Sequence, residues 1–542
     1  MAWANRGAAH RPVVMGTRGM VSSAHPLASL AGLRVLVQGG NAVDAAVATA
    51  AALDVCEPYM SGLGGAGYLL LYTAADRRLR ALDYVPPAPR AATPAAFADP
   101  AAKERGPRAS LLPGAPAGWL TALEAFGRLD RATVFAPAIE YAEGGVPFTL
   151  KNAAFFADAV ERLTPEARAV FLPGGAVPAP GAILRQPRLA ATYRELAAGG
   201  REAFYRGALA ERLVRFLGAQ GGLLTAEDFA AYEPEWQETV GTTYRGYEIR
   251  TLRPPCSGFQ YLETLNILAG FDLAAAGQNS AATIHLMAEA MKLAVADRVA
   301  YAALPHPPLA GLLSPDYAAD RRAEIDLARA RPSGGERYGE AAVAGALAPG
   351  RPGDASRECT THFDVVDTEG NAVSITQSLG AAFGSGVLAG DTGIVLNNLL
   401  YWYDLDPASP NAIAPGKKIE MCMAPAAAFR DGRLCMVIGT PGSFGILETT
   451  PQMLSNVLDH GYSIQAAIEA PRFRTYAGTT IDVEGRVPAA VRAELARLGH
   501  DVRVLDDWSP VVGGGQGIMR DPDSRALLGG ADPRRDGYAL GW

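Results

Sequence analysis

The sequence predicts an α/β sandwich built on antiparallel sheets. Stretches near the start carry Ala, Leu and Val at helical spacing. Strand-like runs later in the chain pair off around short turns, and further helical stretches follow those hairpins. With 49% hydrophobic and 19% charged residues over 542 positions, the chain is globular and long enough for one large body or several ordinary domains.

The elements follow in order. Residues 25–38 and 42–56 read as helices separated by Gly39-Gly40-Asn41. Gly40 suits the end of the first helix and Asn41 the cap of the second. A glycine-rich stretch, 61–67, runs into a buried strand at 68–72. Helical segments alternate with turns from about 115 to 300, the longest spanning 281–301. From about Ser333 to Glu358 the chain is dense in Gly, Ala and Pro with no strong period, which marks a loop or mobile linker. Strands at 362–367 and 372–377 then flank a turn at 368–371. A second hairpin, 426–429 with 434–438, turns at Asp431-Gly432. Helices at about 450–458, 463–470 and 489–498 and a strand at 501–505 complete the chain.

Composition excludes several classes of function. A net charge of −7 spread along the chain argues against a nucleic-acid partner and leaves a small molecule as the expected one. No run of about eighteen apolar residues offers a membrane span, and the first twenty residues hold no continuous apolar core of a signal peptide. The five cysteines, Cys56, Cys256, Cys359, Cys422 and Cys435, are odd in number and scattered, so neither a disulfide framework nor a zinc knuckle is expected. These features lead us to expect a cytoplasmic, reduced protein.

Several motifs fail on context. Gly62-Leu63-Gly64-Gly65-Ala66-Gly67 fits GxGxxG, but a strand rather than a helix follows, so no helix N-terminus meets a phosphate. There is no P-loop, HExxH or GxSxG. His285 and Glu289 lie four apart on one helix face without a third ligand nearby in sequence, which reads as an ordinary polar face.

The chemistry concentrates at Cys359-Thr360-Thr361-His362-Phe363. A threonine hydroxyl needs a base within hydrogen-bond reach before it can attack an amide. If the chain is cut before Thr360, the freed α-amine is that base, since its reference pKa near 8 leaves a neutral fraction. The same hydroxyl can make the cut through an N-to-O acyl shift, for which the preceding linker gives freedom. Taken alone, the pair Thr360-Thr361 reads more readily as the start of an ordinary strand.

The wider pattern decides between these readings. TTHFDVVDTEGNAVSITQSL (360–379), FGSGVLAGDTGIVLNN (383–398), GTPGS (439–443) and GGADPRRDG (529–537) resemble the small-subunit motifs of γ-glutamyltranspeptidases. GGNAVDAAVA (39–48), EPYMSGLGGAGYLLLY (57–72) and PGAPAGW (113–119) match large-subunit motifs in family order. The resemblance covers the chain from about His25 onward. It implies a four-layer αββα sandwich of the N-terminal-nucleophile hydrolase type. It also implies self-cleavage into residues 1–359, ending in the linker, and 360–542, the two staying together as a heterodimer. Thr360 falls on the family nucleophile, Ser378 on the hydroxyl that orients it, and Gly442 and Ser443 on the turn whose backbone N–H groups hold the oxyanion. No metal or organic cofactor is implied, and the substrate is a small-molecule amide or acyl compound.

The substrate-binding positions depart from the family. Val85 stands where the carboxylate-pairing arginine would be, and Gly380 where an asparagine would be. After the Asn397-Asn398 pair, Leu399 and Trp402 replace acidic or amide residues, and Met421-Cys422 replace a serine pair. A γ-glutamyl group carries an ammonium and a carboxylate, and burying them against such side chains costs several kcal/mol. We therefore expect an acyl group with less charge at that end, walled by Trp402. A shifted loop in which Asp404, Lys417, Lys418 or Arg90 restores charge is the alternative. At the level of activity, an amide hydrolase or acyl transferase is expected, with a C–C bond hydrolase and an uncleaved, silent binding homologue as the other readings.

Overall fold

The computed structural model describes residues 7–335, 358–521 and 523–542, with backbone alone at Glu358 and Cys359. Most of the expected linker lies outside the described residues. Two seven-stranded sheets form the body, and every pairing within them is antiparallel. The first sheet runs, in spatial order, Tyr538–Gly541, Met20–Ser23, Glu358–Val366, Ala372–Ala381, Ala66–Thr73, Arg78–Asp83 and Glu235–Gln237. The second runs Val14–Gly16, Leu527–Ala531, Gln516–Arg520, Arg433–Gly439, Ala426–Arg430, Tyr247–Leu252 and Thr239–Tyr244. The sheets face each other, with strand Glu358–Val366 lying against Arg433–Gly439 and Gln516–Arg520.

Helices cover both outer faces. Pro26–Val37 and Ala42–Cys56 pack on the first sheet, and Phe259–Leu268, Ile446–Leu458 and Ile464–Glu469 on the second. The four layers are those of the αββα sandwich. Among the described residues no helix is long and apolar enough to cross a membrane. The four described cysteines, Cys56, Cys256, Cys422 and Cys435, are free thiols.

Helix Ala42–Cys56 is buried along its whole length, which explains its lack of a polar face. Alanines let it approach Pro26–Val37 so closely that a Cβ at Gly32 would sit 2.3 Å from Thr49 Oγ1. It starts in a capping box, with the Asn41 side chain accepting from Val43 and Asp44 N–H and Asp44 accepting from Asn41 N–H. Before it, Gly39 rather than Gly40 takes the left-handed conformation, at φ +96°. The role expected of Gly40 therefore falls one residue earlier, and Gly40 is instead pressed against Val35.

The helix ends at Glu57, whose N–H closes on Leu53 O at 2.8 Å. The Glu57 carboxyl is buried behind strand Glu358–Val366, where the Thr361 hydroxyl donates to it at 3.5 Å. Burial pushes its pKa up to about 8, against an opposing pull from the Arg535 guanidinium.

Two expectations follow from the ends of this helix. Asn41→Ala should lower stability by about 1 kcal/mol, read as an earlier midpoint in denaturant. Glu57 keeps its proton in the folded state to about pH 8, whereas the unfolded chain loses it near pH 4. Its contribution is therefore complete at acid pH and is lost as pH rises through about 8. Thermal melts of Glu57→Gln between about pH 5 and 8 should show a flatter decline than those of the parent protein; parallel curves would refute this.

Candidate active site

Strands Glu358–Val366 and Ala372–Ala381 pair with one irregularity. Cys359 lies opposite Gly380 and Thr360 opposite Ser378, which leaves Leu379 without a partner in the ladder. Such a bulge turns the neighbouring side chains toward each other and tightens the local twist. Here the Thr360 hydroxyl donates to Ser378 Oγ at 3.2 Å, and Gly380 N–H donates to that same oxygen at 2.8 Å. Both side chains are buried. The structure thus brings the expected nucleophile and its expected orienting hydroxyl together.

Side chains alternate along a strand, so Thr360, His362 and Asp364 share the face toward the second sheet. His362 bridges Thr376 Oγ1 at 2.8 Å and Asp364 Oδ2 at 3.1 Å. Its ring occupies the space above Gly439, where a Cβ would come within 2.5 Å. The opposite face belongs to Thr361 and Gln377. The Gln377 amide accepts from Trp119 Nε1 at 3.0 Å and Tyr84 Oη at 3.3 Å, and donates to Ser61 Oγ at 3.1 Å. The glycine-rich loop has a purpose in this packing: Cβ atoms at Gly65 and Gly67 would come within 2.6 Å of the Ser378 and Thr376 carbonyls. Gly62–Gly67 therefore serves close approach to the strand that carries Ser378.

Three residues beyond Gly439 comes the tight turn at 442–445. Gly442 has φ +134° and Ser443 φ +58°, a left-handed conformation that a serine adopts only under constraint. The Thr440 hydroxyl donates to Pro441 O and accepts from Gly514 N–H. Residues Ser443–Gly445 lie beside strand Glu358–Val366. The expected oxyanion turn therefore stands next to the strand that carries Thr360.

Val85, Leu399, Trp402, Met421 and Cys422 are all buried, and they belong to one hydrophobic cluster that also contains Phe444. Gly380 is held at φ +96°, and a Cβ there would lie 2.2 Å from Asn398 Oδ1. A side chain at 380 would therefore have to displace the Asn398 amide oxygen from Ala381 N–H. Asn398 uses its amide on backbone, accepting from Ala381 N–H and donating to Glu104 O. The charged residues considered for a shifted loop are engaged elsewhere. Lys417 donates to the Pro410 and Ala412 carbonyls, Lys418 pairs with Asp83 and Glu235, Arg90 pairs with Glu227, and Asp404 accepts from Ser409.

Sequence reasoning missed Arg298, which the fold carries to the turn. It lies on helix Ala281–Tyr301, is buried, and pairs with Glu420 beside Met421. Its guanidinium sits 3.9 Å from the centre of the Phe444 ring. Nothing in its local sequence reveals a partner more than a hundred positions away.

The sequence also showed no third group near His285 and Glu289, and the fold supplies His500. The three donor atoms lie within 4.8 Å of one another. His285 Nδ1 meets His500 Nε2 at 2.8 Å, and the Lys292 ammonium takes Glu289 Oε1 at 2.7 Å. A divalent cation would have to displace that ammonium and part the two rings, so this donor set reads as a closed polar network.

Comparison with known proteins gives the same picture over the whole chain. The family model described as Gamma-glutamyltranspeptidase matches residues 28–542. The acylase ACY 1 proenzyme of Pseudomonas sp. (strain SE83) is 38% identical over 96% of this chain and 93% of its own. The glutathione hydrolase proenzyme of Bacillus subtilis (strain 168) is 35% identical over 98% of this chain and 93% of its own. The crystal structure of cephalosporin acylase from Bacillus halodurans superposes with a TM-score of 0.89 at 34% identity, covering 99% of this chain and 98% of that one. A nearly complete family match, close relatives along the full length and an N-terminal-nucleophile fold together make this chain a member of the gamma-glutamyltranspeptidase family, an enzyme of the hydrolase and transferase kind.

Proposed function

We propose that the chain cuts itself before Thr360 and then acts as an amide hydrolase or acyl transferase through an ester on the Thr360 hydroxyl. The observation that carries this reading is the buried Thr360–Ser378 hydroxyl pair at the bulge, 3.2 Å apart. The proenzyme names of relatives support the self-cleavage step. Interleaved strands support two fragments that stay together, because Met20–Ser23 and Ala66–Thr73 of residues 1–359 pair with strands of residues 360–542.

In this reading the Thr360 α-amine takes the hydroxyl proton as Oγ attacks the acyl carbon. The Gly442 and Ser443 N–H groups hold the oxyanion. The C–N bond then breaks, and the amine leaves with the proton. Water or another amine attacks the ester by the same route in reverse and frees Thr360. Ser378 accepts the Thr360 hydrogen bond in the resting state and so fixes the direction of attack.

The acyl group is the finer part of the proposal. Val85, Leu399, Trp402, Met421 and Cys422 offer no charge to a γ-glutamyl ammonium or carboxylate, and leaving those ions unpaired in such surroundings costs several kcal/mol. An acyl group that is aliphatic or aromatic at that end fits better.

Thr360→Ala should stay a single chain on denaturing electrophoresis, whereas the parent protein should yield a fragment beginning Thr-Thr-His-Phe. A cleaved Thr360→Ala protein would defeat the mechanism. In kinetics, uncharged acyl anilides should exceed γ-glutamyl-p-nitroanilide in kcat/KM by at least about tenfold. A glutamyl preference of that size would reject the pocket assignment and leave the nucleophile untouched.

A further inference from the structure

A strained turn next to a nucleophile keeps its shape only where the surroundings over-determine it. Ser443, at φ +58°, is such a residue, and the fold restrains the two positions after it. The Phe444 ring lies edge-on to Trp402, with centroids 4.9 Å apart, and meets the Arg298 guanidinium at 3.9 Å. Gly445 sits under Arg474, where a Cβ would come within 2.9 Å of the guanidinium carbon. Arg298 is itself immobilised. It pairs with Glu420, and Glu420 also accepts from Ser257 Oγ at 2.8 Å. The adjacent Met421 exchanges backbone hydrogen bonds with Pro255 and Ser257.

We infer that Arg298 is a positioning residue for the oxyanion turn: its guanidinium presses on the Phe444 ring and holds Ser443 in the left-handed conformation that aims the turn's N–H groups. The inference rests on the reading of Gly442 and Ser443 as oxyanion donors. A planar guanidinium covers an aromatic face as an ammonium cannot. Arg298 acts from the 1–359 side on a turn of the 360–542 side, so it also ties the turn's geometry to the docking of the two parts. Its charge is already matched by Glu420, which is why it steadies the turn instead of facing a substrate carboxylate.

The test uses the two-chain enzyme, with active sites counted by mass spectrometry of the Thr360 acyl-enzyme and turnover read with an uncharged acyl anilide. Arg298→Lys keeps the charge toward Glu420 and should lower kcat about tenfold with KM little changed. Ser443→Gly removes the backbone strain that the clamp opposes. In that background the Arg298→Lys loss should shrink to about twofold. Equal losses in both backgrounds would overturn the inference, and so would a raised KM at constant kcat, which would make Arg298 a substrate ligand. Should Arg298→Lys not fold, Phe444→Leu removes the same contact from the other side; an unchanged kcat there would also overturn the inference. If the parent enzyme forms no acyl-Thr360 species at all, the underlying functional reading has failed, and that result is visible before any variant is compared.

Discussion

The ladder between Glu358–Val366 and Ala372–Ala381 holds one residue too many, and the site's geometry follows from where that residue is kept. Leu379 has left the pairing, but its backbone is not idle. Its N–H donates to Met60 O at 3.0 Å, and its carbonyl accepts from Asn398 N–H at 2.9 Å. The bulge is therefore clamped between the turn after helix Ala42–Cys56 and the loop at Asn398. Each hydrogen bond contributes about 1 kcal/mol net, but their joint effect is positional. Without the bulge, Thr360 would lie opposite Leu379, and no hydroxyl would meet it. The large-half motifs gather around this strand for the same reason. The Gly62–Gly67 loop lies against its backbone, and Trp119, Tyr84 and Ser61 hold Gln377 in place.

The two faces of strand Glu358–Val366 divide the labour. Thr360, His362 and Asp364 point between the sheets, where His362 links Thr376 to Asp364 and fills the space over Gly439. Thr361 points the other way, to a Glu57 carboxyl that burial holds neutral to about pH 8. A neutral carboxyl behind the strand places no negative charge beside Thr360, which suits the proposed α-amine base. Across the site, Arg298 and Glu420 cancel each other. Beside them, Val85, Leu399, Trp402, Met421 and Cys422 form an apolar cluster with Phe444.

How much of this was legible depended on the range of the interaction. Helices Ala42–Cys56 and Ala281–Tyr301 and strand Asp501–Leu505 lie where periodicity put them, because their patterns are local and long. The Asn41 cap was legible for the same reason, while the helix-ending glycine was expected at Gly40 and the packed structure puts the left-handed position at Gly39. Thr360 and Ser378 were recognisable from family motifs, but their meeting depends on a bulge that no strand propensity encodes. The partners of Arg298, the arrival of His500 beside His285, and the buried site of Glu57 are products of tertiary packing. A residue's own neighbourhood in sequence carries no trace of them.

The pairing of the central strand also bears on what a cut before Thr360 would leave behind. Among the described residues, 361–366 pair with Ala372–Ala381 on one side, but only Asp364, Val365 and Val366 pair with Met20–Ser23 on the other. The C-terminal half of the strand is fixed on both edges and the Thr360 end on one. Scission would therefore remove only the two pairings of Glu358 and Cys359, leaving the rest of the ladder to hold the new amine in register. Among the described residues no strand pairs with Thr360 on its other edge, which under the proposed mechanism leaves room for an acyl group to approach. In the proposed mechanism a nucleophile that is also a chain terminus needs both the rigid anchoring four residues away and room at the reacting atom, because a frayed end would lose its alignment with Ser378.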